Sequence, residues 1–94
     1  MDFEWDEAKN EANVVKHGIG FEEAIWIFAG PIVRRIDARR DYGEVRVQAT
    51  GIRNDEVWTV VYAIRDEKRR IISARRASRA ERRAYRAVYP WQRA

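Results

Sequence analysis

Apolar residues recur along this chain with two periods, and the switch between them divides it. Residues 7–28 carry a helical spacing. Asp6 is placed to cap a helix that runs to about Lys16, with Ala8, Ala12 and Val15 as its apolar positions and Gly18 as its terminator. Lys9, Asn13, Lys16 and His17 then share a different, polar face. Phe21, Ala24, Ile25 and Phe28 fall at i, i+3, i+4 and i+7, which predicts a second amphipathic helix over 21–28, ended by Gly30-Pro31. Trp26 and Ile27 lie off that stripe, so cover on a second side is expected, from the sheet or from an interface.

From residue 32 the period changes to two. Residues 32–38 predict a strand, and Asp41-Tyr42-Gly43 a turn. Val45, Val47 and Ala49 alternate with Glu44, Arg46 and Gln48, and Asn54-Asp55 is the next turn. Residues 57–64 are β-branched and aromatic with no polar face, which marks a central strand. Arg65-Asp66-Glu67-Lys68 turns the chain into a further strand over 70–76. At the other end, Phe3-Glu4-Trp5 reads as a short edge strand.

The last helix has the clearest start. Ser78-Arg79-Ala80-Glu81 fits a capping box, Ala80, Ala84, Ala87 and Val88 form an apolar stripe, and Pro90 stops it. The predicted order is β-α-α-β-β-β-β-α. This is an α+β chain forming one domain over residues 1–94: two N-terminal helices, a curved four-stranded antiparallel meander with room for an extra short N-terminal strand, and a C-terminal helix.

Charge adds a polarity that the elements do not show. The net charge is +4, but residues 1–23 sum to −5 and residues 65–94 to +8. A basic end of this kind suits an anionic partner, nucleic acid above all, or an acidic protein. There is no cysteine, so disulfides and thiolate metal sites are excluded. No apolar run approaches the roughly 18 residues of a membrane span. The acidic start lacks the pattern of a signal peptide, so a soluble cytoplasmic protein without membrane contact is expected.

Two places carry candidate chemistry. In Ile71-Ile72-Ser73-Ala74-Arg75-Arg76-Ala77-Ser78 a strand end runs into a capped helix N-terminus. Adjacent arginines there present guanidinium forks to opposite faces of the strand, and the helix adds oriented N–H groups. The plain alternative is that either arginine pairs with an acid such as Glu81 or Glu44. The second place is Lys16-His17-Gly18, where His17 is the one side chain that ordinarily titrates near neutrality. Cleaving RNA by internal transfer needs a proton taken from the 2′-hydroxyl, charge offset at phosphorus, and a proton given to the 5′-oxygen. His17 can serve a proton transfer, and Lys16, Arg75 and Arg76 can offset charge. A histidine at a helix C-terminus is also favoured by the macrodipole alone. Tyr85 and Tyr89, four apart, can stack on bases or fill a core. Nothing in the sequence suggests a metal site or a cofactor.

The motifs taken as a set resemble a known family. Phe3-Glu4-Trp5-Asp6, Lys9-Asn10, Asn13, Lys16-His17-Gly18 and Phe21-Glu22-Glu23-Ala24, then Arg40-Asp41-Tyr42-Gly43-Glu44, then residues 71–77 followed by Glu81-Arg82-Arg83, are similar to the BrnT toxins in order and spacing over nearly the whole chain. The resemblance implies a fold like that of the RelE-type ribonuclease toxins and a bacterial enzyme that cleaves RNA and arrests growth. It implies a BrnA-like antitoxin with a ribbon-helix-helix part, in a complex of two toxins and two antitoxins that binds promoter DNA through the antitoxin. Carried over residue by residue, it puts Lys16, His17, Arg75 and Arg76 in the active site. Arg46, Arg65, Arg79 and Tyr85 are expected to contact RNA. Three readings remain in competition: a metal-independent endoribonuclease, a non-catalytic nucleic-acid-binding or corepressor module, and a basic surface that only docks an acidic protein.

Overall fold

The apolar run at residues 57–64 becomes the middle strand of a five-stranded sheet. The computed structural model describes residues 2–39 and 41–93, so Arg40 of the Arg40–Glu44 motif lies outside the described residues. The elements are β1 (Phe3–Glu4), α1 (Glu7–His17), α2 (Phe21–Ala24) continued by a 3₁₀ turn (Ile25–Ala29), β2 (Val33–Ile36), β3 (Arg46–Arg53), β4 (Glu56–Arg65), β5 (Lys68–Arg76) and α3 (Arg79–Val88). Strand order across the sheet is β1-β5-β4-β3-β2. The predicted antiparallel meander is β2 to β5. The extra N-terminal strand is also present, and β1 joins β5 in parallel, which makes the sheet mixed.

The β3–β4 and β4–β5 loops each hold two residues at positive φ: Asn54 at 53° and Asp55 at 61°, then Asp66 at 50° and Glu67 at 64°. Loops of this shape match the twist of the flanking strands. They fix the registers Arg53↔Glu56 and Arg65↔Lys68, and a bulge in β5 at Ile72 then shifts the pairing by one residue, which turns Arg75 to the face of Thr59 and Arg76 to that of Trp58.

One face carries the main core, where Ala49, Trp58, Val60, Tyr62, Ile71 and Ala74 meet Ile19, Phe21, Ala24 and Ile27. The second predicted helix departs from its expected period. Phe21, Ala24 and Ile27 are fully buried, a spacing of three, while Ile25 and Phe28 are only partly covered. After one α-helical turn the chain tightens to 3₁₀, whose three-residue period keeps one row over the sheet. That row comes very close: a Cβ on Gly51 would lie 3.0 Å from the Ile27 Cβ and 3.1 Å from Ile32 Cγ2, so any side chain there would press on both. Trp26 is left outside and exposed.

The first helix has the predicted caps but buries the opposite face. Asp6 Oδ1 accepts the Ala8 N–H at 2.8 Å, and Gly18, at φ 72°, closes the helix. Asn10 and Asn13 are buried, whereas Ala8 and Ala12 are exposed and Val15 is 88 % exposed. The sheet edge explains this. β1 covers only Arg69 and Arg70 of β5, so peptide groups further along need other partners. Asn13 supplies them: its Nδ2 donates to Ala74 O at 2.8 Å and its Oδ1 accepts the Ala74 N–H at 3.1 Å. Asn10 accepts the Phe21 N–H at 2.8 Å and so starts α2. A buried peptide group without a partner costs ~1–3 kcal/mol, more than exposing two alanines.

The last helix is inverted in the same way. Its capping box is formed, yet Ala80, Ala84, Ala87 and Val88 are exposed. The row toward the sheet is Glu81, Tyr85 and Tyr89. The Tyr85 hydroxyl donates to Pro31 O at 2.8 Å and the Tyr89 hydroxyl to Ile32 O at 3.2 Å. With Val57, Ala77, Val33 and Ile52 these rings make a second, smaller core on the other face. Two tyrosines bury more surface than three alanines and a valine, and their hydroxyls find acceptors.

Candidate nucleic-acid interface and active site

The face opposite the main core is lined with arginine. Register sets Arg46 beside Ala63 and Arg70, Arg35 beside Gln48, Val61 and Ser73, and Arg75 beside Thr59 and Thr50. Arg65 follows Ala63 by two residues and shares the face. α3 packs over one end of it, against Val57 and Ala77.

These arginines are held by carboxylates. Arg65 donates to Glu44 Oε1 from Nη2 at 2.7 Å and from Nε at 3.1 Å. Arg46 Nε lies 3.5 Å from Glu44 Oε2, an ion-pair distance without a formed hydrogen bond, and its guanidinium stacks 3.9 Å from the Tyr42 ring centre. Arg70 reaches Glu4 at 2.8 Å. The acidic start of the chain and its basic end thus meet within the sheet. Pairs that solvent reaches contribute little, so a phosphate can take a carboxylate's place.

Glu81 is different because it is buried. Arg75 grips it with both ends of the fork, Nη1 to Oε1 at 2.7 Å and Nη2 to Oε2 at 3.0 Å, and Arg35 Nη2 lies 3.6 Å away. Burial alone pushes the Glu81 carboxyl up. The Arg75 fork, the Ser78 N–H and the Thr59 hydroxyl outweigh burial and hold it at about 2. One carboxylate therefore caps α3 and aims Arg75.

The predicted cluster assembles where α1 ends and β5 runs out. Arg75 and Arg76 do point to opposite faces, since Arg76 pairs with Trp58 on the core side. Arg76 Nη1 donates to the His17 carbonyl at 3.2 Å across 59 residues of chain, and its Nε donates to Glu56 Oε2 at 3.0 Å. Partial burial first, then the charges of Lys16 and Arg75, lower the His17 pKa below its ordinary 6.5. At neutral pH the imidazole is therefore uncharged and able to accept a proton. The plain alternative raised for the two arginines, pairing with acids, is also realised, with Glu81 and Glu56 as the partners.

The other expected RNA contacts fall in different places. Arg46 and Arg65 share Glu44 on the arginine face. Arg79 is exposed in the first turn of α3. Tyr85 is 1 % exposed with its hydroxyl bonded to Pro31 O, so its ring has no face open to a base. Arg35 and Arg70 were not singled out in the sequence; Arg46 leads to both once the register is known, whereas alternation from Arg75 along β5 does not reach Arg70, because a bulge at Ile72 breaks it. Among the described residues no group of histidines and acids is placed to hold a metal ion, and no helix is long and apolar enough to cross a membrane.

Fold and site together define a small α+β protein with an arginine-lined sheet face and a neutral histidine at its edge, suited to a polyanion of phosphates. A family model described as ribonuclease toxin, BrnT, of type II toxin–antitoxin systems matches residues 5–81. The chain belongs to that family, and with membership come an RNA substrate and an antitoxin partner. No curated protein matches the chain.

Proposed function

We propose that the chain is a metal-independent endoribonuclease that arrests growth in the cytoplasm until a BrnA-like antitoxin neutralises it. His17 takes the proton from the 2′-hydroxyl. The 2′-oxygen bonds to phosphorus as the bond to the 5′-oxygen breaks, leaving a cyclic phosphate and, after proton uptake from solvent, a 5′-hydroxyl. Arg75 and Arg76 offset the charge that builds on the phosphoryl oxygens, and Lys16 adds to the local positive field. Arg46, Arg65 and Arg79, joined by Arg35 and Arg70, track the RNA backbone. In this reading the antitoxin carries a ribbon-helix-helix part, and a complex of two toxins and two antitoxins binds promoter DNA through it.

The observation that supports this best is the meeting of His17 with Arg75 and Arg76, with the imidazole held uncharged at neutral pH. The test is cleavage of a long RNA in EDTA by the parent, His17→Ala and Arg75→Ala/Arg76→Ala, with RNA affinity measured separately. His17→Ala is expected to lose cleavage about a hundredfold or more while keeping affinity within a few fold. The acidic limb of the parent's kcat/KM profile should lie below pH 6.5. Equal loss of cleavage and affinity in His17→Ala removes it from catalysis. Intact binding with no cleavage by the parent turns the reading to a non-catalytic binding module.

A further inference from the structure

The core face of the sheet is covered along only half of its length. α1, α2 and the 3₁₀ turn pack over the end that carries Trp58, Val60 and Ala74. Toward the other end the same face continues with Ile36 opposite Val47, Val47 opposite Tyr62, and Ile64 opposite Arg69. There Ile36 is 61 % exposed, Val45 64 % and Ile64 50 %. One groove of about 340 Å³ runs between Ile36, Val47, Tyr62 and Ile64, with Arg34 and Arg35 at its rim. Another of about 390 Å³ lies between Phe3, Trp26, Phe28 and Arg69. Phe28 and Tyr62, whose ring centres are 5.5 Å apart, join the two. An apolar sheet face normally carries a second layer, and a patch this continuous is unusual on a free monomer.

Arg69 shows what kind of layer is missing. Its guanidinium carbon lies 4.5 Å from the Phe28 ring centre, 5.5 Å from Phe3 and 5.6 Å from Tyr62. Its Nε is shut off from solvent with no hydrogen-bond partner, and among the described residues no carboxylate pairs with it. Its neighbour Arg70 has Glu4. Ring faces offset part of the cost of desolvating a cation, but a carboxylate would complete the site.

We propose that this half-face is the seat of the antitoxin: an amphipathic helix of that protein lies across Ile36, Val47, Tyr62 and Ile64 and sets a carboxylate on Arg69. The inference rests on reading the chain as a toxin held by a protein antitoxin, and it names the surface. Charge selects the occupant. A second copy docking about a two-fold axis would bring Arg34 and Arg69 against Arg34 and Arg69. RNA has its arginines on the other side of the sheet, and the seat offers it apolar surface instead.

The test is calorimetric titration of the purified full-length chain with the antitoxin protein encoded beside it, repeated with Ile36→Glu/Ile64→Glu and with Arg69→Gln. RNA cleavage by each free variant checks the fold, since none of these residues belongs to the cleaving or RNA-binding set. The double variant should bind the antitoxin at least thirtyfold more weakly, and Arg69→Gln about tenfold, with cleavage at the parental rate. Parental affinity in both variants overturns the seat. If the parent itself does not bind the antitoxin, the occupant is wrong and the reading of the partner falls with it. If the free parent sediments as a dimer that Ile36→Glu/Ile64→Glu dissolves, the seat belongs to a second copy. Should the double variant fail to cleave, Arg69→Gln decides alone.

Discussion

The two faces of the sheet are built from the same strands and answer to different physics. On the core face the contacts are apolar, close and without slack, down to the 3.0 Å that a Cβ on Gly51 would leave to Ile27. On the arginine face the contacts are long side chains paired with carboxylates that solvent mostly reaches, such as Arg65 with Glu44 and Arg70 with Glu4. The first kind of surface fixes the fold and tolerates no exchange of partners. The second kind can exchange a carboxylate for a phosphate at little cost. Close packing and exchangeable ion pairs thereby lie largely on opposite sides of one sheet, and Glu81, buried yet paired with Arg75, shares in both.

The largest effect should come from the core side. Phe21 is fully buried between α2 and the sheet, with the Trp5 ring centre 6.0 Å away. Phe21→Ala is expected to cost ~3–5 kcal/mol, read as a fall in the urea midpoint with unchanged slope. In a chain of 94 residues that is much of the total stability. Cleavage per folded molecule should be unaffected. A variant that stays as stable as the parent but loses activity would break the division between the faces.

Glu81 gives the next effect, and its sign follows from the direction of its shift. The folded carboxyl titrates at about 2, below its ordinary value of 4.5. As pH falls, the unfolded chain takes up that proton first, so acid favours unfolding. The contribution is complete above about 4.5 and is lost as pH falls toward about 2. Glu81→Gln keeps a capping-box side chain but has no charge to titrate. Urea midpoints measured across that window should fall more steeply for the parent than for the variant, by ~2 kcal/mol over the whole range. Parallel slopes would mean that Arg75 and Ser78 do not hold this carboxylate.

The contrast between faces also explains what the sequence made legible. The antiparallel meander, its turns and the caps were readable because they depend on local chemistry, such as Asn54-Asp55 at positive φ, Gly18 after α1 and the Ser78–Glu81 box, whereas the parallel seat of β1 against β5 was not. Which side a helix buries was not readable, and both long helices turned out reversed. The buried positions, Asn10 and Asn13 in α1 and Glu81 with Tyr85 in α3, are polar or amphipathic groups that satisfy distant partners. A hydrophobic period cannot see a peptide group of β5 that needs an amide, 61 residues along the chain. That adjacent arginines at the strand end diverge was readable, and Arg75 accordingly meets Glu81 on one face while Arg76 meets Glu56 and the His17 carbonyl on the other. Tyr85 was misjudged for the same reason as α3.

The smallest effect tests the arginine face itself. Arg65 is half exposed and its partner Glu44 also holds Arg46, so losing Arg65 leaves no carboxylate buried and alone. Arg65→Ala should therefore leave the urea midpoint where it was. If Arg65 contacts one backbone phosphate, the slope of log affinity for RNA against log salt should shrink by about 0.7–1, and affinity should fall equally for RNAs of different sequence. An unchanged slope would take Arg65 off the RNA path and confine the phosphate-binding set to the end of the face near Arg75. A fall in stability would show that exchangeable pairs on this face also hold the fold together, and would erase the difference between the two sides.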